Sequence, residues 1–389
     1  MKYDVIVIGL GAMGSAAAYQ LAKRGADVLG IDRYAPPHAY GSSHGGTRIT
    51  RLAIGEGEHY TPLAIRAHEI WREIEHETGA NLLTTNGGLV ISSDDKLSKT
   101  HVDGFFQNTV SAAKRFGIPH ELLDAAEIRR RYPQFAVGDG EYGYFEQSAG
   151  FVRPEQCVHA HLQLARKHGA TLRTGETVAA FDAGPASVRV VTDRGSYEAD
   201  KLIVAAGAWA PELLGASFAQ LFKVHRQVQY WFAPVDGVGA FRPDRFPVFI
   251  WELRSSRQGI YGFPAVDGAT GGIKIATESF ERTATPNDEA RDISSKEIAA
   301  MYDDFIAPNF PGISPVCVKA TVCFYTVAPD FGFVIDRHPE SDRVMVASPC
   351  SGHGFKHSPA IGEALAEWAM ERDGRHDLGP FRLSRFSGR

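Results

Sequence analysis

A short strand that runs directly into three spaced glycines constrains this chain more than any other feature. Residues 3–8 are an apolar, β-branched run (Val5, Ile6, Val7, Ile8), too short for a helix and closed by glycine, which reads as a buried parallel strand. Gly9, Gly11 and Gly14 follow in the spacing G-x-G-x-x-G. The first glycine allows the tight turn, the second lets backbone approach a pyrophosphate, and the third lets the helix beginning at about Met13 pack closely on its strand. The N-terminus of that helix offers unpaired N–H groups and a positive dipole end to phosphates. A second strand over residues 27–31 leads to Asp32, whose carboxylate is placed to accept from adenosine ribose hydroxyls and to disfavour a 2′-phosphate. Strand, glycines, helix, strand and acid together specify a dinucleotide-binding unit. They leave open whether the dinucleotide is FAD or NAD.

Length and composition narrow the class. At 389 residues the chain exceeds one small core, so two domains are expected. A hydrophobic share of 44%, a charged share of 22% and a formal charge of −5 are those of a globular protein with no basic footprint, so no nucleic-acid partner is expected. The N-terminal apolar run lacks a basic lead and a cleavage site, no run approaches the ~20 apolar residues of a membrane span, and the final Ser-Gly-Arg is no peroxisomal address. These readings predict a cytoplasmic protein without membrane association. Cys157, Cys317, Cys323 and Cys350 show no metal-ligand spacing, so neither a metal nor disulfides are expected.

Along the chain, residues 33–60 form a long irregular segment with a small, polar, cationic centre at 41–51, a length that is usually functional. Thr61 as N-cap and Pro62 predict a helix to about Gly79, and Asn86-Gly87-Gly88 predicts hairpin-like strands over 81–93. Helices follow over 101–116 and 124–131, the latter opened by a capping-box pair, Asp124 and Glu127. After a helix that starts near Pro154 come strands over 171–173, 177–182, 187–192 and 202–206, the last ending on Ala206 and Gly207 as if backbone must lie close to a ligand. Strands over 224–232, 248–252, 260–263 and 272–277 suggest one twisted antiparallel sheet; a helix over 295–306, strands over 316–326 and 343–347 and a helix over 359–370 complete the chain. The fold class is therefore α/β (α+β): a Rossmann-like domain from residues 1–85, 146–220 and 326–389, and an antiparallel-sheet substrate domain from 86–145 and 221–325.

Four further stretches carry chemistry: the cationic loop Gly-Ser-Ser-His-Gly-Gly-Thr-Arg-Ile-Thr-Arg at 41–51, Lys274 on a strand, Cys323-Phe324-Tyr325-Thr326, and Ser351-Gly352-His353-Gly354-Phe355-Lys356. With the glycine fingerprint and the tail at 380–386 they resemble the sarcosine oxidase family of flavin amine oxidases over nearly the whole chain. The resemblance implies FAD, attached covalently through Cys323, and a monomeric oxidase of secondary, N-methyl amino acids that yields an imine and H2O2 from O2. A thiolate is the nucleophile in such attachment and needs a cationic, partly open setting, for which Arg48 is the candidate; the plain alternative is a small buried side chain on a strand, with Cys350 the next candidate thiol. Arg51 and Lys356 match the positions that hold the substrate carboxylate, a planar fork beside a point charge. Lys274 matches the lysine that stabilises superoxide, although a solvated edge-strand lysine has the same local pattern. Tyr261 and Tyr325 would line the substrate pocket, and His44 and Ser43 lie in the loop that contacts flavin in the family. Gly352, Gly354 and Phe355 belong to a glycine turn around the ring, which His353 would serve; zinc at His353 and His357 is disfavoured for want of an acidic partner.

A flavin dehydrogenase that uses another acceptor, a flavin-binding module without turnover, and a nicotinamide enzyme are the rival readings. Lys274, the carboxylate-binding pair and the Cys323 motif argue against them in turn. The chain departs from its relatives at Glu278, where they carry a histidine facing the substrate. Even spacing along a strand puts Glu278 on the side of Lys274 and suggests a substrate larger or more polar than sarcosine; a longer loop at 265–271 would instead turn it to solvent.

Overall fold

The structure, a computed structural model, describes residues 2–98, 100–287, 291–372 and 374–387. Strand Lys2–Ile8 pairs in parallel with Val28–Asp32 on one side and with Gly195–Val204 on the other. Thr171–Thr174 extends this sheet beyond Val28–Asp32, and Ser341–Ser348 runs parallel to the end of Gly195–Val204. Val178–Ala183 and Val188–Thr192 form a hairpin against the start of Gly195–Val204, and Val334–His338, a strand the sequence reading missed, is antiparallel to Ser341–Ser348.

Helices Ala12–Lys23, Pro154–Lys167 and Ser358–Ala369 cover the sheet through one core that includes Val5, Val7, Leu21, Cys157, Ile361 and Leu365. The first and last of these helices touch almost backbone to backbone, because a Cβ at Gly362 would stand 2.6 Å from the Ala16 carbonyl carbon.

The second sheet has eight strands in the order Ile313–Val327, Lys223–Pro234, Ile273–Thr277, Ile260–Gly262, Val248–Trp251, Gly88–Ser93, Glu141–Glu146 and Glu121–Asp124. All neighbours are antiparallel except Val248–Trp251 and Gly88–Ser93, which meet in parallel because they come from distant parts of the chain. Its apolar face buries Phe135, Phe246, Phe249, Trp251 and Phe310. A small sheet of Arg48–Thr50, Gly150–Val152 and Leu83–Thr85 carries the cationic loop.

Several local expectations give way to tertiary pairing. The hairpin over 81–93 does not form: Leu83–Thr85 pairs with Gly150–Val152, whereas Gly88–Ser93 pairs with Glu141–Glu146. Asn86 and Gly87, the latter at φ +83°, are therefore a crossing from one sheet to another. Thr61 is already helical, with Tyr60 as N-cap, because a 3-10 turn Glu58–Tyr60 runs directly into Thr61–Thr78. Only half of the capping box forms: Asp124 accepts from the Glu127 N–H, while the Glu127 carboxylate is taken by Arg130 and Arg131. The helix placed over 101–116 begins at Phe105, since Gly104 at φ +67° ends the preceding loop. That shift leaves His101 in a loop. The helix over 295–306 is α only to Met301 and finishes as a π turn, Tyr302–Ile306.

Candidate active site

The glycine fingerprint works at atomic contact. Gly9, at φ +85°, lies so close to the Ala205–Ala206 backbone that a Cβ would meet the Ala205 carbonyl oxygen at 2.5 Å. A Cβ on Gly14 would overlap the Gly9 carbonyl oxygen. Asp32 braces this turn: Oδ2 accepts the Leu10 N–H at 2.7 Å and Oδ1 the Tyr34 N–H at 2.8 Å. Ser43 reaches in from the cationic loop, its Oγ accepting the Ala12 N–H at 3.1 Å.

A cleft of about 410 Å³ opens over this turn. Gly9, Gly11, Met13, Asp32, Ser43, Arg48, Ala206, Gly207, Gly352, Gly354 and Phe355 all line it, joined by Cys350 and Tyr325. Its lining takes in Asp32 and Trp209 as well as Cys350 and Phe355. Gly14 lies beneath it as a packing residue. A second cavity of about 100 Å³ is lined by Arg51, Glu56, His101, Tyr261, Glu278, His353 and Lys356 among others. The two cavities share Arg48, Tyr325, Gly352 and Phe355, so they adjoin along these residues.

Arg51 and Lys356 are buried, and both face Glu56, a residue that sequence reasoning did not single out. Arg51 Nη2 donates to Glu56 Oε2 at 2.6 Å and Nη1 donates to the Ala53 carbonyl, while Nε has no partner. Lys356 Nζ donates to the His353 carbonyl at 2.6 Å and stands 3.7 Å from Glu56 Oε1. Burial acts to raise the Glu56 carboxyl, but Arg51 and Lys356 outweigh it and hold the group well below the usual carboxylate range. Burial pushes Lys356 down to about 8, with Glu56 opposing. On this wall two cations, Arg51 and Lys356, face one carboxylate; Arg48 and Glu278 line the cavity elsewhere. The signal for Glu56 was an acid between two glycines, Gly55 and Gly57, inside the long functional loop.

Tyr261 and Tyr325 bring their hydroxyls to 3.4 Å, and burial raises both phenols. His353 is buried, its Nε2 3.1 Å from the Phe331 carbonyl, and it does have an acidic neighbour, Glu56, 3.9 Å from Nδ1. The expectation that no acid lies near it is therefore corrected, the acid coming from a loop some three hundred residues earlier in the chain. Glu278 lines the second cavity despite the longer loop before it, and pairs with His101 at 3.1 Å.

Lys274 is no edge-strand lysine. Its strand lies inside the second sheet, and the side chain is 2% exposed. Nζ donates to the carbonyls of Gly45 and Thr47, each at 2.9 Å, and lies 4.6 Å from the Phe263 ring centroid. Burial, then Arg48, pushes its pKa well down. Glu155 anchors the same turn by accepting the Gly45 and Gly46 N–H groups at 2.6 and 3.1 Å. Lys274 and His44 line neither cavity; they sit behind the loop that does. His44 is buried and held down to about 4 by burial and Arg48, so it is neutral.

Cys323 is also behind the cleft wall. The partly open setting expected for its thiol is not found, because Cys323, on the edge strand Ile313–Val327, is 0% exposed in a cluster with Phe280, Phe331 and Cys350. Burial raises its thiol, opposed by Arg48, Lys274 and a hydrogen bond of 3.2 Å from Gln229 Nε2. Cys350 lines the cleft, and burial raises its thiol too.

Comparisons with known proteins place the whole chain in a family. The family model described as FAD dependent oxidoreductase matches residues 4–368. The chain is 43% identical to a monomeric sarcosine oxidase of Streptomyces avermitilis over 97% of its length and 96% of the relative's. It is 36% identical to an N-methyl-L-tryptophan oxidase of Yersinia pestis over 99% of its length and 100% of the relative's. Among solved structures, NikD, an unusual amino acid oxidase essential for nikkomycin biosynthesis, shares the fold with a TM-score of 0.82 at 23% identity, covering 98% of this chain and 97% of its own. No helix among the described residues is long and apolar enough to cross a membrane. The chain thus belongs to the FAD dependent oxidoreductase family and, within it, to the sarcosine oxidase group of flavin amine oxidases.

Proposed function

We propose that the chain is an FAD-dependent oxidase of secondary, N-methyl amino acids, binding its substrate by the carboxylate in the second cavity and its cofactor in the cleft. The single observation that carries this reading is the junction of the two cavities at Arg48, Tyr325, Gly352 and Phe355. A small pocket with a cationic wall there adjoins a glycine-lined cleft.

The residues present fit FAD. The side-chain-free surfaces of Gly9 and Gly11 and the N-terminus of Ala12–Lys23 suit a pyrophosphate, and Asp32 suits a ribose. When bound, FAD supplies the two-electron oxidation of the C–N bond and the reduction of O2 to H2O2. The protein supplies position and charge. Arg51, with its unpartnered Nε, and Lys356 hold the carboxylate, and their excess positive charge over Glu56 sets the preference for an anion. Tyr261 and Tyr325 wall the reacting carbon and exclude water, and His353 and His357, kept neutral by burial, add no competing charge.

Lys274 is assigned the stabilisation of superoxide as O2 is reduced. A positive charge on Lys274, held by the Gly45 and Thr47 carbonyls and favoured by Glu155 against the cost of burial, would act there with little screening. Cys323 is assigned the covalent link to FAD; Arg48, Lys274 and Gln229 all favour its thiolate against the cost of burial. Residues 1–85, 146–220 and 326–389 make up the cofactor domain in this reading, and the remainder the substrate domain.

The test is aerobic turnover of a panel of N-methyl amino acids by purified protein, with peroxide and the released aldehyde or keto acid measured together. One peroxide per imine-derived product is expected. Absence of peroxide with a working artificial electron acceptor would mark a dehydrogenase instead.

A further inference from the structure

Glu278 reaches the second cavity from just beyond strand Ile273–Thr277, and its two oxygens are in different situations. Oε2 meets His101 Nδ1 at 3.1 Å. A carboxylate only accepts, so Nδ1 carries the proton in this contact whichever charge state His101 adopts. The His101 ring cannot swing away: it is stacked on His353 at 5.2 Å and 12°, with Phe331 at 5.6 Å and Phe280 at 6.2 Å on other sides. The side chain of His101 is 3% exposed and that of Glu278 26%. His101 is thus a buried post that fixes the carboxylate at its open end. Oε1 has no hydrogen-bond partner among the described residues. It lies beside Gly352, where a Cβ would come within 3.2 Å of it, and Gly352 lines both cavities.

The cavity is consequently bipolar. Arg51 and Lys356 give one wall an excess of positive charge, and Glu278 gives another an accepting oxygen without a donor. Sarcosine can satisfy the first wall, but it has no side chain to reach the second. We infer that the His101–Glu278 pair reads the substrate side chain, and that the preferred substrates are secondary α-amino acids bearing an O–H or N–H donor there. This rests on the amine-oxidase reading above. Glu278 Oε1 is the recognising atom and His101 a positioning residue that holds it. Burial lowers the His101 pKa, but the Glu278 charge outweighs this and the net shift is upward, as expected of a pair formed in the free protein.

The test uses shape-matched pairs on the holoenzyme: N-methyl-L-serine against N-methyl-L-2-aminobutanoate, and Nα-methyl-L-ornithine against N-methyl-L-norleucine. A charge-assisted hydrogen bond predicts that the donor-bearing member of at least one pair has a kcat/KM roughly ten- to a hundredfold higher. Glu278→Leu should bring that ratio to within about twofold of one, and Glu278→Gln should reduce it while keeping the shape, covering the case in which the leucine variant does not fold. His101→Phe should lower the ratio mainly through KM, since the carboxylate loses its post and not its charge. Calorimetric Kd values for the matching 2-methoxy acids, which lack the oxidisable nitrogen, should follow the same order without turnover. Ratios near one in the wild type, alongside normal oxidation of both members, would overturn this inference and leave the oxidase reading intact. An equal loss for every substrate in Glu278→Leu would overturn it in favour of Glu278 holding the reacting amine. No oxidation of any secondary amino acid would overturn the oxidase reading, and this inference with it.

Discussion

The cleft and the second cavity are built from opposite materials. The cleft is shaped by backbone and by missing side chains: Gly9 and Gly14 leave no room for a Cβ, and Asp32 spends hydrogen bonds on Leu10 and Tyr34. The second cavity is shaped by long side chains from four separate segments, with Arg51 and Glu56 from one loop meeting His101, Glu278 and Lys356 only in the folded chain. Contacts that a backbone makes with a common cofactor allow little variation, whereas paired side chains at a pocket are free to change with the substrate.

The largest expected effect breaks the cleft. Gly14→Val places side-chain atoms where the Gly9 carbonyl stands, so the protein should purify without flavin absorbance while keeping its circular dichroism. A yellow variant would mean that the glycine turn is not the cofactor seat. Next, wild-type protein precipitated with acid should stay yellow, Cys323→Ser should lose that colour entirely, and Cys350→Ser should keep it. The reverse pattern would move the attachment to the thiol that lines the cleft.

Lys274→Met then probes the boundary between the two regions. Removing a fixed buried cation should slow reoxidation of reduced flavin by about a hundred- to a thousandfold, while reduction by substrate changes only a few-fold. Stopped-flow measurement of both half-reactions separates these, and equal slowing would make Lys274 a structural residue holding the turn at Gly45 and Thr47.

The smallest effects sharpen the second cavity. Because burial holds Lys356 at about 8, its charge is complete well below that pH and is lost as pH rises through it. Affinity for a carboxylate inhibitor should therefore be flat below pH 8 and fall above it, by at most about tenfold per pH unit. Lys356→Arg should abolish the fall. Substrate oxidation should in addition rise with pH on the acid side, since the reacting amine must be neutral, giving a bell-shaped profile whose alkaline limb belongs to Lys356.

The same contrast explains what the sequence made legible. The glycine turn, its helix and Asp32 obey local rules, so residue type and spacing were sufficient. The Asn86-Gly87-Gly88 stretch obeys the same local grammar, yet it joins two different sheets, since Gly150–Val152 and Glu141–Glu146 offer each strand a better partner. Arg51, Lys356 and Lys274 were identified by resemblance. Glu56 and His101 were missed because their distant partners are unmarked: Glu56 joins its loop neighbour Arg51 to Lys356, some three hundred residues on, and His101 is in the cavity only because Gly104 delays the helix. Cys323 shows the reverse case, where motif and residue type suggested an open thiol and packing against Phe280, Phe331 and Cys350 buried it.

In the proposed function, the Arg51 and Lys356 wall of the second cavity holds a carboxylate-bearing amine where the two cavities adjoin. Anaerobic mixing with N-methyl-L-alanine and with its carboxamide, followed at the flavin absorbance, tests this most directly. The free acid should bleach the flavin, with the carboxamide slower by roughly ten- to a hundredfold at equal concentration, as loss of a charge-assisted contact predicts. Equal bleaching by the two, or none by the acid, would contradict the account.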